Sequence, residues 1–130
     1  MSNWKLINKT FLYDGTFDGL LTIVFDCYST KTLPQRIENE QTYFDNFLDN
    51  IAIISSDYTK SEIGFLYNGK TYQIKELPIF SLPEFSEQEK MYQELWKSFF
   101  KSVTIAERTN KKCQMQFMPK KYWKDLVEIT

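Results

Sequence analysis

The segment Ser86–Val103, SEQEKMYQELWKSFFKSV, repeats its apolar residues at a spacing that only an α-helix turns onto one side. Met91, Leu95, Phe99 and Val103 fall four apart, with Tyr92, Trp96 and Phe100 alongside them. A helix over about 87–103 therefore carries a wide apolar stripe. Ser86 followed by Glu89 has the pattern of a capping box, in which the hydroxyl accepts from an orphan N–H of the first turn and the carboxylate reaches back to the cap. Glu87, Glu89 and Glu94 precede Lys97 and Lys101, an order that suits the helix dipole. Such a stripe has to be covered, so the remaining chain must supply a sheet or further helices.

The clearest local signal for a sheet is Ile63–Tyr67, Asn68-Gly69, Lys70–Leu77. Asn-Gly is the preferred pair for a two-residue hairpin turn because both central residues need positive φ, and Tyr72, Ile74 and Glu76 alternate with Thr71, Gln73 and Lys75. Earlier, Thr10–Tyr13 reads as a short strand and Asp14-Gly15-Thr16 as the turn that launches a helix over about 16–29. Phe17, Leu20, Leu21, Val24, Phe25 and Tyr28 form the buried face of that helix. Asp14 is the expected N-cap, with Asp18 complementing the dipole, and Gly19 suggests a close approach by another backbone. Thr32–Phe47, containing Pro34, reads as a polar irregular connection. A strand is expected near 50–55 around Ile51, Ile53 and Ile54, and Ser56 or Asp57 caps a short turn through Lys60. Strand, helix and strand in this order allow a crossover onto a parallel pair.

Past Val103 the composition changes. Between Lys97 and Lys124 the cations are Lys97, Lys101, Arg108, Lys111, Lys112, Lys120, Lys121 and Lys124, against one interior acid, Glu107, with Phe117, Tyr122 and Trp123 interleaved. Cations attract phosphate whatever the base sequence, and aromatic faces stack on unpaired bases, so this mixture suits a nucleic-acid surface. The plainer reading is a solvated basic face, with Trp123 on the buried side of a short helix opened by Pro119. The charge is local: residues 1–65 hold five cations and nine acids, residues 66–130 eleven and eight, and the net charge is −1. The chain is a dipole, not a polycation.

At 130 residues one domain spanning 1–130 is expected, and 17% aromatic content argues against disorder. Histidine is absent, which removes Ser-His and Cys-His nucleophile pairs and histidine metal sites. Cys27 and Cys113, the only cysteines, suggest neither a disulfide framework nor a zinc cage, and Cys27 reads as a small core residue. No P-loop, G-x-G-x-x-G, Cys-x-x-Cys or G-x-S-x-G occurs, so no cofactor is expected. Asp14, Asp18 and Asp26 surround one helix; Asp14 and Asp18 can approach each other for acid–base or metal chemistry, but capping and a solvated surface explain them more simply. The sequence shows no signal peptide or apolar span, and a reduced cytoplasmic protein without membrane contact is expected.

Two blocks carry a family resemblance. Tyr13–Thr22 (YDGTFDGLLT) and onward to Lys31, with Asn46–Asn50 (NFLDN) and Ile53–Lys60 (IISSDYTK), resemble the N-terminal part of the DUF4130 family, whose members are described as DNA-metabolism proteins. Leu66–Lys70 through Glu89, Leu95–Phe100, Glu107–Asn110 and Gln116–Lys124 (QFMPKKYWK) resemble its C-terminal part. Members of that family are longer and carry, between these blocks, a region with a His-Arg followed by a Phe-x-Arg-Phe type motif. That region is missing here, the junction falling near Ser61–Phe65, so the resemblance implies a binding or regulatory remnant if the centre holds an active site. It also implies a setting: members are typically encoded beside a radical-SAM protein assigned to DNA modification or repair, and some are fused to uracil-DNA-glycosylase relatives.

The expected architecture is therefore an α+β domain: a small mixed sheet containing the Asn-Gly hairpin, two main helices covering it, and a short basic helix near 119–127. The expected function is a DNA-metabolism or repair accessory protein without catalysis of its own. Lys101, Arg108, Lys111, Lys112, Lys120, Lys121 and Lys124 would contact phosphates, and Tyr122 and Trp123 would stack or pack. The first alternative is a protein-interaction module docking on a radical-SAM protein or a glycosylase relative. The last is a DNA-repair enzyme using Asp14 or Asp18.

Overall fold

The computed structural model describes residues 4–44, 50–76, 85–109 and 117–125. The chain is α+β, with two long helices and two three-stranded sheets among the described residues. The first strand, β1 (Lys5–Tyr13), starts earlier than the sequence suggests and leads into α1 (Phe17–Thr30). Thr16, not Asp14, is the N-cap: its Oγ1 accepts from the Gly19 N–H at 3.0 Å. Asp14 stands two residues before it and orients that cap, its Oδ1 accepting from the Thr16 N–H at 3.0 Å and the Thr16 hydroxyl at 2.5 Å. The close approach at Gly19 is made by the Asp14 carboxylate and the Thr16 hydroxyl, where a Cβ would collide, and not by another backbone.

Helix α1 ends on Lys31, whose left-handed backbone (φ 55°) turns its N–H back to the Cys27 carbonyl. The chain then forms β2 (Thr32–Asn39), which runs parallel to β1. This corrects the irregular connection expected over Thr32–Phe47. Pro34 is tolerated because β2 is an edge strand, the order being β2-β1-β3. The pairing carries a bulge on β1: Ile7 pairs with Pro34 and Thr10 with Arg36, so Asn8 and Lys9 face the single residue Gln35. β3 (Ile51–Ile53) pairs parallel with β1 on its other side, within the span expected for it.

β4 (Ile63–Tyr67) and β5 (Lys70–Gln73) form the expected hairpin, with Asn68 at φ 51° and Gly69 at φ 75°. β5 stops short of Leu77 because Ile74–Glu76 winds into a 3-10 turn. Near the C-terminus β6 (Phe117–Pro119) adds antiparallel to the other edge of β4, and Lys120–Asp125 forms a 3-10 segment where a short helix near 119–127 was expected. The strands thus divide into a purely parallel and a purely antiparallel sheet, and not one mixed sheet. Each β4 edge is taken by a strand of its own sheet, which leaves it no ladder to offer the first.

Helix α2 (Phe85–Thr109) is longer than expected. Its deepest side chains are Tyr92, Trp96, Phe99 and Val103, while Met91, Leu95 and Phe100 are only partly covered. The helix is rotated so that the aromatic flank of the stripe meets the core. There Tyr28 stacks on Phe99 (5.6 Å, 8°), Trp4 meets Tyr28 edge-on (5.3 Å, 79°) and Phe17 stacks on Tyr92 (5.2 Å, 4°). Offset and edge-on ring pairs of this kind each add about 0.5–1.5 kcal/mol beyond area burial. Phe11, Tyr13 and Ile37, on one face of the parallel sheet, share this core with both helices. Cys27 is fully buried within it, and burial pushes its thiol pKa far up.

Glu89 does not complete the expected capping box. Its Oε1 accepts from the Tyr13 hydroxyl at 2.7 Å and from Asn39 Nδ2 at 2.9 Å, which pins α2 to the C-terminal ends of β1 and β2. Burial, then the bond and charge of Glu89, raise the Tyr13 pKa strongly, so its proton stays on the donor side.

Candidate functional site

The basic residues singled out from the sequence do not all fall in one describable place. Lys101 is exposed on α2, and Arg108 lies in the last turn of that helix. Lys111 and Lys112 lie outside the described residues. Lys120, Lys121, Tyr122, Trp123 and Lys124 are consecutive in the 3-10 segment, all three lysines exposed and both rings partly buried.

The two rings fasten this segment to the domain. Trp123 donates its Nε1–H to the Met118 carbonyl at 2.8 Å and lies against Gly64, the one residue of β4 without a side chain to obstruct it. Tyr122 stacks on Tyr28 of α1 at 5.4 Å and 30°. Packing is thus the observed state of both. Lys120 pairs with Glu62 at 3.8 Å. The Lys121 ammonium stands 5.7 Å from the Tyr122 ring centre, and no carboxylate lies within ion-pair distance of Lys121 or Lys124 among the described residues.

Lys31 was not singled out from the sequence, yet folding brings it to the same place. Its ammonium lies 5.4 Å from the Tyr122 ring centre, 5.1 Å from Trp4 and 5.5 Å from Tyr28. No local signal marks it, since two of the three rings it meets, Trp4 and Tyr122, stand at opposite ends of the chain. The only hint is a lysine where a helix C-cap favours glycine or asparagine.

The three aspartates around α1 take separate partners. Asp14 accepts from Ser56 Oγ as well as from Thr16. Burial alone would raise its pKa, but these hydrogen bonds outweigh that and hold the carboxyl below its ordinary value. Asp18 accepts from Ser61 Oγ at 2.6 Å and pairs with Lys75 at 3.7 Å, and Asp26 pairs with Lys60 at 3.2 Å. Asp57 caps the turn through Lys60, its Oδ1 accepting from the Thr59 N–H at 2.9 Å and hydroxyl at 2.6 Å, and these bonds lower its pKa. Among the described residues no three acids or cysteines converge to hold a metal ion. The arrangement ties loops to the end of α1 and leaves Asp14 and Asp18 facing different groups.

A shallow groove between β2 and α2 is lined by Gln35, Arg36, Gln93, Trp96, Lys97 and Phe100. Both its cations have carboxylate neighbours, Glu38 at 3.9 Å and Glu94 at 3.7 Å, so it offers an anion less than the 3-10 segment does. No helix among the described residues is long and apolar enough to cross a membrane.

A family model described as a domain of unknown function, DUF4130, matches residues 36–128. No curated protein and no solved structure matches the chain. The match takes in the second half of β2, both sheets' later strands, α2 and the basic 3-10 segment, while Tyr13–Lys31 precedes it.

Proposed function

The chain belongs to the DUF4130 family, and from that premise we propose that it is a nucleic-acid-binding accessory protein of DNA metabolism or repair, acting through its basic C-terminal segment and without catalysis of its own. The observation that carries this reading is the pair Lys121 and Lys124. They are exposed and lack a carboxylate partner among the described residues, and they stand on a segment that Tyr122 and Trp123 hold against the core. A fixed ammonium loses less freedom on meeting a phosphate than one on a loose tail. Lys101, Arg108, Lys111, Lys112 and Lys120 extend the same basic stretch of sequence. The setting beside radical-SAM and glycosylase proteins, implied by the family resemblance, makes DNA the natural polyanion.

A second reading is docking on such a protein. Its support is the partly covered Met91 and Leu95 on α2, which with Lys90, Glu94 and Ser98 line a shallow apolar depression. Salt separates the two. Phosphate binding releases counterions, and its affinity falls with a log–log slope of about 0.7–0.9 per phosphate, whereas an apolar surface is nearly indifferent to salt. The test is a fluorescence-anisotropy titration of labelled single- and double-stranded DNA at low and physiological salt, with Lys120→Glu/Lys121→Glu in parallel. Salt-dependent binding that the double variant loses is the expected result. No binding to either form at low salt would refute the proposal.

A further inference from the structure

Five of the basic residues whose side chains are described have a carboxylate neighbour. Lys60 faces Asp26, Lys75 faces Asp18, Lys97 faces Glu94, Lys120 faces Glu62 and Arg36 faces Glu38. Lys5, Lys31 and Lys121, like Lys9, Lys70, Lys90 and Lys124, have no carboxylate within ion-pair distance among the described residues; what sets Lys5, Lys31 and Lys121 apart is where they stand. Lys5 adjoins Lys31 through the backbone, and Lys31 and Lys121 share one ring. The Lys5 N–H donates to the Lys31 carbonyl at 2.8 Å, so the first residue of β1 is tied to the cap of α1. The ammonium groups of Lys31 and Lys121 stand 5.4 and 5.7 Å from the centre of one ring, Tyr122, which remains partly exposed.

Lys31 is held unusually firmly for a surface lysine. Its backbone is locked in the left-handed region by the capping bond to Cys27, and its ammonium sits over three rings, Trp4, Tyr28 and Tyr122. Ring faces attract the charge but accept hydrogen bonds weakly, so the ammonium keeps donors for a second partner while its position is preset. One partly exposed ring, backed by its stack on Tyr28 and approached by two cations without acid partners, matches the plan of a single-strand site, in which an aromatic face takes a base and nearby cations take the adjoining phosphates.

We propose that single-stranded nucleic acid crosses Tyr122 and continues from Lys121 onto Lys31 and Lys5, so that the βαβ unit at the start of the chain is part of the binding surface. This rests on the reading of the protein as a nucleic-acid binder and adds to it the form of the ligand and the residues that complete the track. The helix-capping role of Lys31 alone would leave binding untouched by its loss.

The experiment uses the full chain, a labelled oligothymidylate and a duplex of the same length, titrated at several salt concentrations. The variants are Lys31→Gln, Lys31→Arg, Lys5→Gln and Lys121→Gln, with Lys70→Gln at the start of β5 as control. Each neutral variant at positions 5, 31 and 121 is expected to lower the log–log salt slope for the single strand by about 0.7, one phosphate's share. Lys31→Arg should keep the native slope, and Lys70→Gln should change nothing. Circular dichroism checks that Lys31→Gln is folded; Lys5→Gln, on an exposed side chain that touches none of the rings, tests the track independently of the cage. If Lys121→Gln loses slope while Lys31→Gln and Lys5→Gln keep it, the track ends on the C-terminal segment and the inference fails, with the binding function intact. If the duplex binds as tightly as the single strand, the assignment of ligand form fails. If the native chain binds neither, the proposed function itself falls.

Discussion

Replacing Gly64 by alanine tests whether the C-terminal segment is clamped to the domain as described. A Cβ at this position would lie 2.5 Å from Trp123 Nε1 and 2.6 Å from Cζ2, too close for the ring to stay where it is. Gly64 is on the central strand of its sheet, paired with Gln73 on one side and Met118 on the other, so the backbone has little room to retreat. Either the sheet and ring adjust, at the roughly 1–3 kcal/mol typical of overpacking, or the ring leaves. Leaving forfeits the bond to the Met118 carbonyl, about 0.5–1.5 kcal/mol, and the partial burial of the indole as well. Alanine in a strand returns about 0.5–1 kcal/mol relative to glycine. The net expectation is a loss of about 1–2 kcal/mol. In a Trp123→Ala background the same change should be neutral or stabilising, giving a coupling of about 2 kcal/mol in a double-mutant cycle. Urea unfolding followed by far-UV circular dichroism reads all four proteins without relying on tryptophan emission. A Gly64→Ala protein as stable as the native chain, or an equal loss in both backgrounds, would refute the clamp.

Two further predictions concern the other ties in the fold. Glu89→Leu strands the donors of Tyr13 and Asn39, both almost fully buried, and should lower stability by about 2–4 kcal/mol in urea unfolding, with Tyr13→Phe recovering part of the loss. Asp14 is held below its ordinary value of 3.8, so its contribution is complete above that pH and disappears as pH falls through the folded-state value. Asp14→Asn should therefore flatten the loss of stability between pH 5 and 3, while Asp57, also lowered, keeps a residual slope in the variant; an unchanged acid limb would show that Asp14 is not the group responsible.

What could be read in advance divides by how local its cause is. The Asn68-Gly69 hairpin depends on two residues that tolerate positive φ and on the strands next to them, and it stands as expected. The α2 stripe was legible from spacing, but its rotation toward Tyr92 and Trp96 depends on Tyr28, Phe17 and Trp4, which reach it from far upstream. β2 was not legible. Pro34 argued against a strand, and Leu33 and Ile37, four apart with Gln35 between them, gave no period-2 apolar pattern that would have argued for one. Asp14 had the chemistry of an N-cap, but the adjacent Thr16 serves the helix and uses Asp14 as its own support.

The candidate site divides in the same way. Composition and spacing alone identified the run of lysines and rings over Lys120–Lys124 and the absence of histidine chemistry. Whether Trp123 packs or faces solvent was left open, because that turns on a glycine some sixty residues away in sequence, whose missing side chain makes the space. The approach of Lys31 and Lys121 to one ring, Tyr122, with the backbone of Lys5 tied to that of Lys31, was beyond any sequence reading. Charge and hydropathy are properties of each residue and survive unfolding, so the sequence by itself determined which chemistry the chain carries. Which charges meet depends on how β1, α1 and the last turn pack, and only the tertiary structure decided that.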